Sequence, residues 1–348
     1  MSKFLVQNLS NLVAYVPGEQ PKKNEFIKLN TNENPYPPPG VDILSDVAIN
    51  LNLYNDPNCT KLTNVFGKYY NLAEDEVIFG NGSDEILAFC YMAFCEKEIA
   101  FPNISYGFYS VYSELFGLAG QKIPLTSDFR INKEDYFNLG KTIIIANPNA
   151  PTGIVLSLED IEDILKHNQN NIVIIDEAYA DFGEVTCKKL INQYDNIVVV
   201  GTFSKSRNLA GARLGYAIAN RDLIEDIKLI KNSFNPYNVN ALTQALGVVS
   251  IEQDEYFKEC VDKIVTERKR FISFLDELDF HTLPSSANFV FTKHNTMSGA
   301  ELAQKLREHK ILVRYFDKIG EYVRITIGTT SQMDYVRQKF IKIIKADV

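Results

Sequence analysis

The chain predicts an α/β fold: a large domain on a mostly parallel sheet covered by helices on both faces, plus a smaller α+β C-terminal domain. Three observations carry that expectation. Continuous apolar runs, among them Lys141–Ala146, Ile172–Ile175 and Ile197–Val200, recur along the first two thirds of the chain, as strands buried on both faces should. Helical patterns stand between most of these runs, and that alternation implies parallel strands joined by crossovers. At 348 residues, the length suits about two domains with a sizeable core.

In order along the chain, residues 1–40 are expected to form an N-terminal arm ending in Asn34-Pro35-Tyr36-Pro37-Pro38-Pro39-Gly40. Proline fixes φ and lacks an amide hydrogen, so this end of the arm should be extended. The large domain is assigned to 41–238. It begins with a helix near 61–70, the short strand Val77-Ile78-Phe79 and a helix from Ser83 to Phe94. Strands follow at Glu98–Phe101, Lys141–Ala146, Ile172–Ile175 and Ile197–Val200. The small domain is assigned to 239–348 and is expected to be joined by the arm. It opens with a long helical pattern through 240–279, after Asn235-Pro236-Tyr237. Strand Ala287–Phe291, helix 298–309, strands Ile311–Tyr315 and Tyr322–Ile327 and a final helix complete it.

Composition narrows the function classes. The net charge of −8 is spread along the chain with both signs mixed, which argues against bulk nucleic-acid binding, since that needs a basic face. The longest apolar stretches are strand-sized, far short of the roughly 20 residues that span a bilayer. Residues 1–20 alternate polar and apolar without a signal-peptide core. The five cysteines show no Cys-x-x-Cys spacing and the four histidines are scattered, so no metal is expected and the thiols suit the cytoplasm.

The chemistry-bearing segments lie at strand ends, where ligands bind in doubly wound sheets. After Val77–Phe79 comes Gly80-Asn81-Gly82-Ser83-Asp84-Glu85 and then a helix. Glycines allow close backbone approach, and a helix start offers amides and a positive dipole end for a phosphate. The carboxylates of Asp84 and Glu85 would repel that phosphate, so the amides of Gly82, Ser83 and Asp84 are expected to act as donors. After Ile172–Ile175 comes Asp176-Glu177-Ala178-Tyr179. A carboxylate at a buried strand end needs a cationic partner, and a protonated pyridine nitrogen would be one. After Ile197–Val200 comes Thr202-Phe203-Ser204-Lys205, with Arg213 eight residues on. A lysine with hydroxyls before it and an arginine after it suits a Schiff base to an aldehyde that also carries a phosphate. Alone, each segment reads as a helix cap, a capping aspartate or a surface lysine; the combination points to a site.

One rival fails on inspection. Gly140-Lys141-Thr142 with Asp176-Glu177 has the outline of a P-loop and its acidic partner. A P-loop needs glycine where Asp135 stands and a helix where Ile143-Ile144-Ile145 reads as strand.

Taken together and in the same order, these segments resemble fold-type I pyridoxal-phosphate enzymes of the aspartate aminotransferase family. The resemblance spans nearly the whole chain. It implies that Lys205 bonds to pyridoxal 5′-phosphate and shuttles protons, that Asp176 keeps the ring nitrogen protonated, and that Tyr179 binds the phenolate oxygen. It implies that Tyr106, in Pro102-Asn103-Ile104-Ser105-Tyr106, stacks on the ring. The amides of Gly82, Ser83 and Asp84, the hydroxyls of Thr202 and Ser204, and Arg213 would hold the phosphate. Tyr54, in Tyr54-Asn55-Asp56-Pro57, would reach the phosphate of a neighbouring subunit in a homodimer. The chain departs from the pattern in Asn147-Pro148-Asn149-Ala150-Pro151-Thr152-Gly153, where Ala150 replaces the asparagine that touches the phenolate. Either Asn149 reaches round or Tyr179 makes that contact alone.

Within this family the chain is most similar to the histidinol-phosphate aminotransferases, through Leu29-Asn30-Thr31-Asn32-Glu33-Asn34-Pro35, Ala14-Tyr15, Arg314 and Arg324. That similarity implies interconversion of histidinol phosphate and 2-oxoglutarate with imidazole-acetol phosphate and glutamate. Tyr15, Asn34, Arg314 and Arg324 would then contact substrate. An aromatic amino-acid aminotransferase and a threonine-phosphate decarboxylase are the competing readings on the same scaffold.

Overall fold

The computed structural model describes residues 19, 26–39 and 51–345. Seven strands form the central sheet: β2 (Val77–Asn81), β3 (Glu98–Pro102), β4 (Ala119–Ile123), β5 (Thr142–Ala146), β6 (Val173–Asp176), β7 (Ile197–Thr202) and β8 (Leu214–Ala219). Their spatial order is β2-β8-β7-β6-β5-β3-β4. Only β8 runs against its neighbours. The mostly parallel sheet is therefore as expected.

Alternate residues of the inner strands serve opposite faces, because strand side chains alternate. Ile143, Ile145, Val173, Ile175, Ile197 and Val199 pack with Leu62 and Phe66 of α1 (Thr60–Tyr70) and Ile161, Ile164 and Leu165 of α4 (Leu158–Lys166). Ile144, Ile174 and Val198 pack on the other face with Ile86, Leu87 and Phe89 of α2 (Gly82–Phe94), Tyr109 and Tyr112 of α3 (Phe108–Leu115), and Ile224 and Ile227 of α5 (Arg221–Phe234). Each such isoleucine is fully buried, and truncating one to alanine would cost about 2–5 kcal/mol.

Register then sets the site. Ala146, Asp176 and Val200 are successive Cα partners across β5, β6 and β7, so the chain leaves all three strands along one edge. Asn81 pairs with Leu214, and Thr202 with Gly215. The antiparallel β8 thus brings Arg213 beside the start of α2 and the end of β7.

The helical pattern read through 240–279 divides at Gln253 into α6 (Ala241–Glu252) and α7 (Asp254–Asp276). Val248 and Ile251 of α6 lie in the large-domain core, whereas Ile264, Phe271 and Leu275 of α7 lie in the small-domain core. The small domain carries the antiparallel sheet β12-β13-β10-β9, from β9 (Phe280–Thr282), β10 (Phe289–His294), β12 (Arg314–Tyr315) and β13 (Val323–Thr326). Helices α8 (Gly299–Glu308) and α9 (Thr330–Lys345) pack on it through Leu302, Leu306, Val336 and Phe340. The arm joins this domain: β1 (Ile27–Lys28) pairs in parallel with β11 (Ile311–Leu312). No helix among the described residues is long and apolar enough to cross a membrane. Among them there is also no group of three or more His, Cys, Asp or Glu side chains placed to hold a metal ion.

Candidate active site

The three strand-end segments converge on one cavity. Ser83, Asp84, Tyr106, Ala146, Ala150, Asp176, Ala178, Tyr179, Thr202, Ser204, Lys205 and Arg213 line it. All but Ala146 and Ala178 were singled out from the sequence, Ala150 as the position that departs from the family pattern.

Asp176 ends β6 and is buried. Its Oδ2 accepts from the Tyr109 hydroxyl at 2.8 Å and its Oδ1 from the Ala178 amide at 3.1 Å. Burial pushes its carboxyl up to about 6, although the Tyr109 bond acts in the opposite direction. The adjacent Glu177 is equally buried but spends its carboxylate on Lys188 at 3.1 Å and Thr186 at 2.7 Å. So Asp176 is the acid oriented toward the cavity, and Glu177 is a structural ion-pair member.

Lys205 follows β7 through Thr202 and Ser204, whose hydroxyls lie 3.0 Å apart. Its Nζ donates to the Thr31 carbonyl at 3.3 Å and sits 5.8 Å from the centre of the Tyr179 ring. The arm therefore reaches the lysine directly, a contact the sequence reading missed.

The phosphate end rests on close backbone approach. Gly82 begins α2 with φ +79°, a conformation that favours glycine, and a Cβ there would lie 2.4 Å from Arg213 Nη2. No side chain caps the first turn of α2, which leaves its amides directed at the cavity as a phosphate cradle would require. The acidic side chains that threatened repulsion are held by other groups. Asp84 accepts from the Tyr106 hydroxyl at 2.8 Å and pairs with Arg213 at 3.0 Å. Glu85 accepts from the Asn81 amide at 2.7 Å and from Asn238 at 2.5 Å. A carboxylate awaiting a cation, a lysine amine and an uncapped helix start beside an arginine form a donor set that fits pyridoxal phosphate.

A second cavity, about 360 Å³, opens beside the first. Tyr106, Ala150, Tyr179 and Lys205 line both. Its far wall carries Arg314 and Arg324, Cα partners across the β12–β13 pair. Both guanidiniums lie within 6 Å of the Phe316 ring centre, at 5.7 and 5.5 Å, and Arg324 Nη2 donates to the Asn30 carbonyl at 3.1 Å. Two cations at one end and a lysine at the other suit a ligand with an anionic tail.

Three further candidates from the sequence contact other parts of the chain. The Asn149 amide donates to the Ile104 carbonyl at 3.0 Å and its carbonyl accepts from Ser105 at 2.8 Å, so this side chain braces the turn. Asn34 donates to the Lys205 carbonyl at 3.0 Å, positioning the lysine's backbone. Tyr54 is 84% exposed and stacks on Tyr237 at 4.6 Å, away from this cavity. Tyr15 lies outside the described residues. Tyr109 and Asn32, neither singled out from sequence, hold Asp176 and Tyr179 respectively, the latter at 3.0 Å.

A more voluminous cavity, about 790 Å³, lies behind Ser206 and Arg207. Its buried charges are already matched, Lys188 with Glu177 and Arg207 with Asp254 at 2.7 Å.

Comparison with known proteins agrees with this geometry. Residues 24–340 match the family described as aminotransferase class I and II. A histidinol-phosphate aminotransferase of Brachyspira hyodysenteriae is 48% identical over 99% of this chain and 100% of its own length. One from Clostridium beijerinckii is 46% identical over 97% of both. Among solved structures, the histidinol-phosphate aminotransferase of Clostridium acetobutylicum superposes with TM-score 0.83 at 25% identity, covering 92% of this chain and 99% of that one. A Sinorhizobium meliloti histidinol-phosphate aminotransferase in complex with pyridoxal-5′-phosphate shares the fold, with TM-score 0.83 at 19% identity, covering 92% and 91%.

Proposed function

The chain belongs to the class I and II aminotransferases, and from that premise we propose that it moves the amino group of L-histidinol phosphate to 2-oxoglutarate. The products are imidazole-acetol phosphate and glutamate, in histidine biosynthesis. The observation that carries this reading is the shared wall between the two cavities: Lys205 stands at one end and the Arg314–Arg324 pair at the other. Pyridoxal 5′-phosphate, when bound, supplies a carbonyl carbon that takes the amino group and a conjugated ring that takes up an electron pair.

The chain's own groups do the rest. Asp176 holds a proton on the ring nitrogen, and Tyr109 and Ala178 fix the direction of its carboxylate. Lys205 Nζ would hold the cofactor's carbonyl carbon and would carry the proton to and from the nitrogen-bearing carbon of the substrate. Tyr179 presents its hydroxyl to the ring oxygen, and Tyr106 covers the ring face, held there by Asp84. The α2 amides, Thr202, Ser204 and Arg213 hold the cofactor phosphate. Arg324 pairs bidentately with the amino acid's carboxylate in one half-reaction and helps hold the substrate phosphate in the other, where Arg314 adds to the phosphate site. Tyr15 would join them.

The working unit in this proposal is a homodimer in which Tyr54 reaches the neighbouring site. Leu51, Leu53, Tyr54, Phe234 and Tyr237 are exposed, with Tyr54 stacked on Tyr237, and a partner would cover such apolar side chains. None of the five cysteines is in a disulfide, which suits a reducing compartment, and we place the reaction in the cytoplasm.

Titrating the cofactor-loaded protein with L-histidinol phosphate, L-phenylalanine and O-phosphothreonine, with absorbance as readout, tests the substrate. Bleaching of the cofactor band by histidinol phosphate at far lower concentration, reversed by 2-oxoglutarate, is the expected result. An equal or stronger response to phenylalanine would reassign the enzyme to aromatic amino acids.

A further inference from the structure

The turn at Ala150 lacks the amide that relatives of this fold would aim at the cofactor's ring oxygen, and Asn149 does not replace it, being bonded to Ile104 and Ser105. Tyr179 is the hydroxyl left facing that position. What fixes the direction of its hydrogen is therefore a question about this chain alone.

Asn32 sits against Tyr179. It is 1% exposed, and its Nδ2 donates to the Tyr179 hydroxyl oxygen at 3.0 Å. Its own amide orientation is set from the other side. The Asn32 main-chain N–H donates to Thr326 Oγ1 at 3.1 Å, so the Thr326 hydroxyl hydrogen turns to the remaining acceptor, Asn32 Oδ1, at 2.8 Å. With Oδ1 committed as acceptor, Nδ2 must face Tyr179 as donor. The Asn32 carbonyl is pinned by Asn288 Nδ2 at 3.1 Å. The backbone at Asn32 has φ +56°, a conformation asparagine tolerates better than most side chains.

We infer that Thr326 and Asn32 form a polarity relay that makes Tyr179 an obligate hydrogen-bond donor to the cofactor's ring oxygen, replacing the amide absent at Ala150. The Tyr179 oxygen already accepts from Asn32, so its hydrogen is directed into the cavity. Asn32 and Thr326 are positioning residues; they act through Tyr179. The inference rests on the cofactor and not on which substrate is used. The charged groups about the same cavity are Lys205, Asp176, Asp84 and Arg213, with Arg324 5.3 Å from the Phe289 ring that packs edge-on against Tyr179.

The test is the pH midpoint of the bound cofactor's absorbance change, measured on cofactor-loaded protein without substrate. A donor to the ring oxygen stabilises its negative charge and weakens its hold on the neighbouring imine proton, so losing the donor raises the midpoint. Asn32→Ala and Thr326→Val should each raise it, on the order of one pH unit, while Thr326→Ser keeps the hydroxyl and the wild-type midpoint. In a Tyr179→Phe background, Asn32→Ala should add nothing. Unchanged midpoints in Asn32→Ala and Thr326→Val would overturn the inference, as would a full additive shift in the double variant. If Asn32→Ala fails to retain cofactor, the Thr326→Val and Thr326→Ser pair decides the matter by the same midpoint.

Discussion

With its carboxyl pushed to about 6 by burial, Asp176 opposes folding of the cofactor-free protein whenever it is ionised. In the unfolded chain it titrates near 3.9, so between about pH 4 and pH 6 the native state binds more protons. Stability should therefore fall as pH rises through that window, by about 3 kcal/mol from this group. Melting temperatures of cofactor-free wild type and Asp176→Asn against pH should converge toward pH 4 and separate above pH 6, with the variant the more stable. Parallel curves would show that burial does not govern this residue. Cofactor affinity should move the opposite way, since the asparagine cannot pair with a ring cation. At this scale the sequence was readable where a residue's role is announced by its neighbours, as with Lys205 after Thr202 and Ser204, or Asp176 at the end of an apolar run. Tyr109 and Asn32 were not, because their partners lie 67 and 147 positions away and no local pattern encodes such a pairing. Whether Asn149 or Tyr179 alone would meet the ring oxygen stayed open in the sequence for a related reason: a turn motif gives the order of side chains but not which way each one faces.

The junction of β8 with the start of α2 is the feature that the proposed phosphate site depends on. A Cβ on Gly215 would lie 2.3 Å from both Gly82 C and Ser83 N, and backbone cannot swing aside as a flexible side chain can. Gly215→Ala should part the strand from the helix, costing about 1–3 kcal/mol of stability and lowering cofactor affinity by roughly tenfold or more. Gly211→Ala is the matched control, because a Cβ there meets nothing within 4 Å. Equal cofactor dissociation constants for the two variants, measured by fluorescence quenching, would refute the close-approach argument. The β8 strand itself went unread in the sequence. Leu214-Gly215-Tyr216-Ala217-Ile218-Ala219 mixes glycine and alanine into its run and directly follows Arg213, so it lacks the β-branched density that marked β5, β6 and β7. The edge strand β4 was missed for the opposite reason, since four of its five residues are exposed and show no apolar pattern.

For the whole molecule, the alternation of apolar runs and helices was enough to fix a doubly covered sheet, while the seam between domains was hidden by a helical pattern that continues across Gln253. The assembly makes its own prediction. Phe234 and Tyr237, 69% and 42% exposed, should be covered in the proposed homodimer, so Phe234→Glu with Tyr237→Glu should yield a monomer by sedimentation and weaken cofactor binding severalfold. A wild-type protein that sediments as a monomer at micromolar concentration would reject the dimer outright. One feature joins these scales. Arg324 holds the Asn30 carbonyl, Asn32 holds Tyr179, and Thr31 between them holds Lys205. Three consecutive residues of the arm thus bond to Arg324, Lys205 and Tyr179. One short run of backbone therefore ties the walls of both cavities to the arm, so a change at any of residues 30–32 reaches more than one of them.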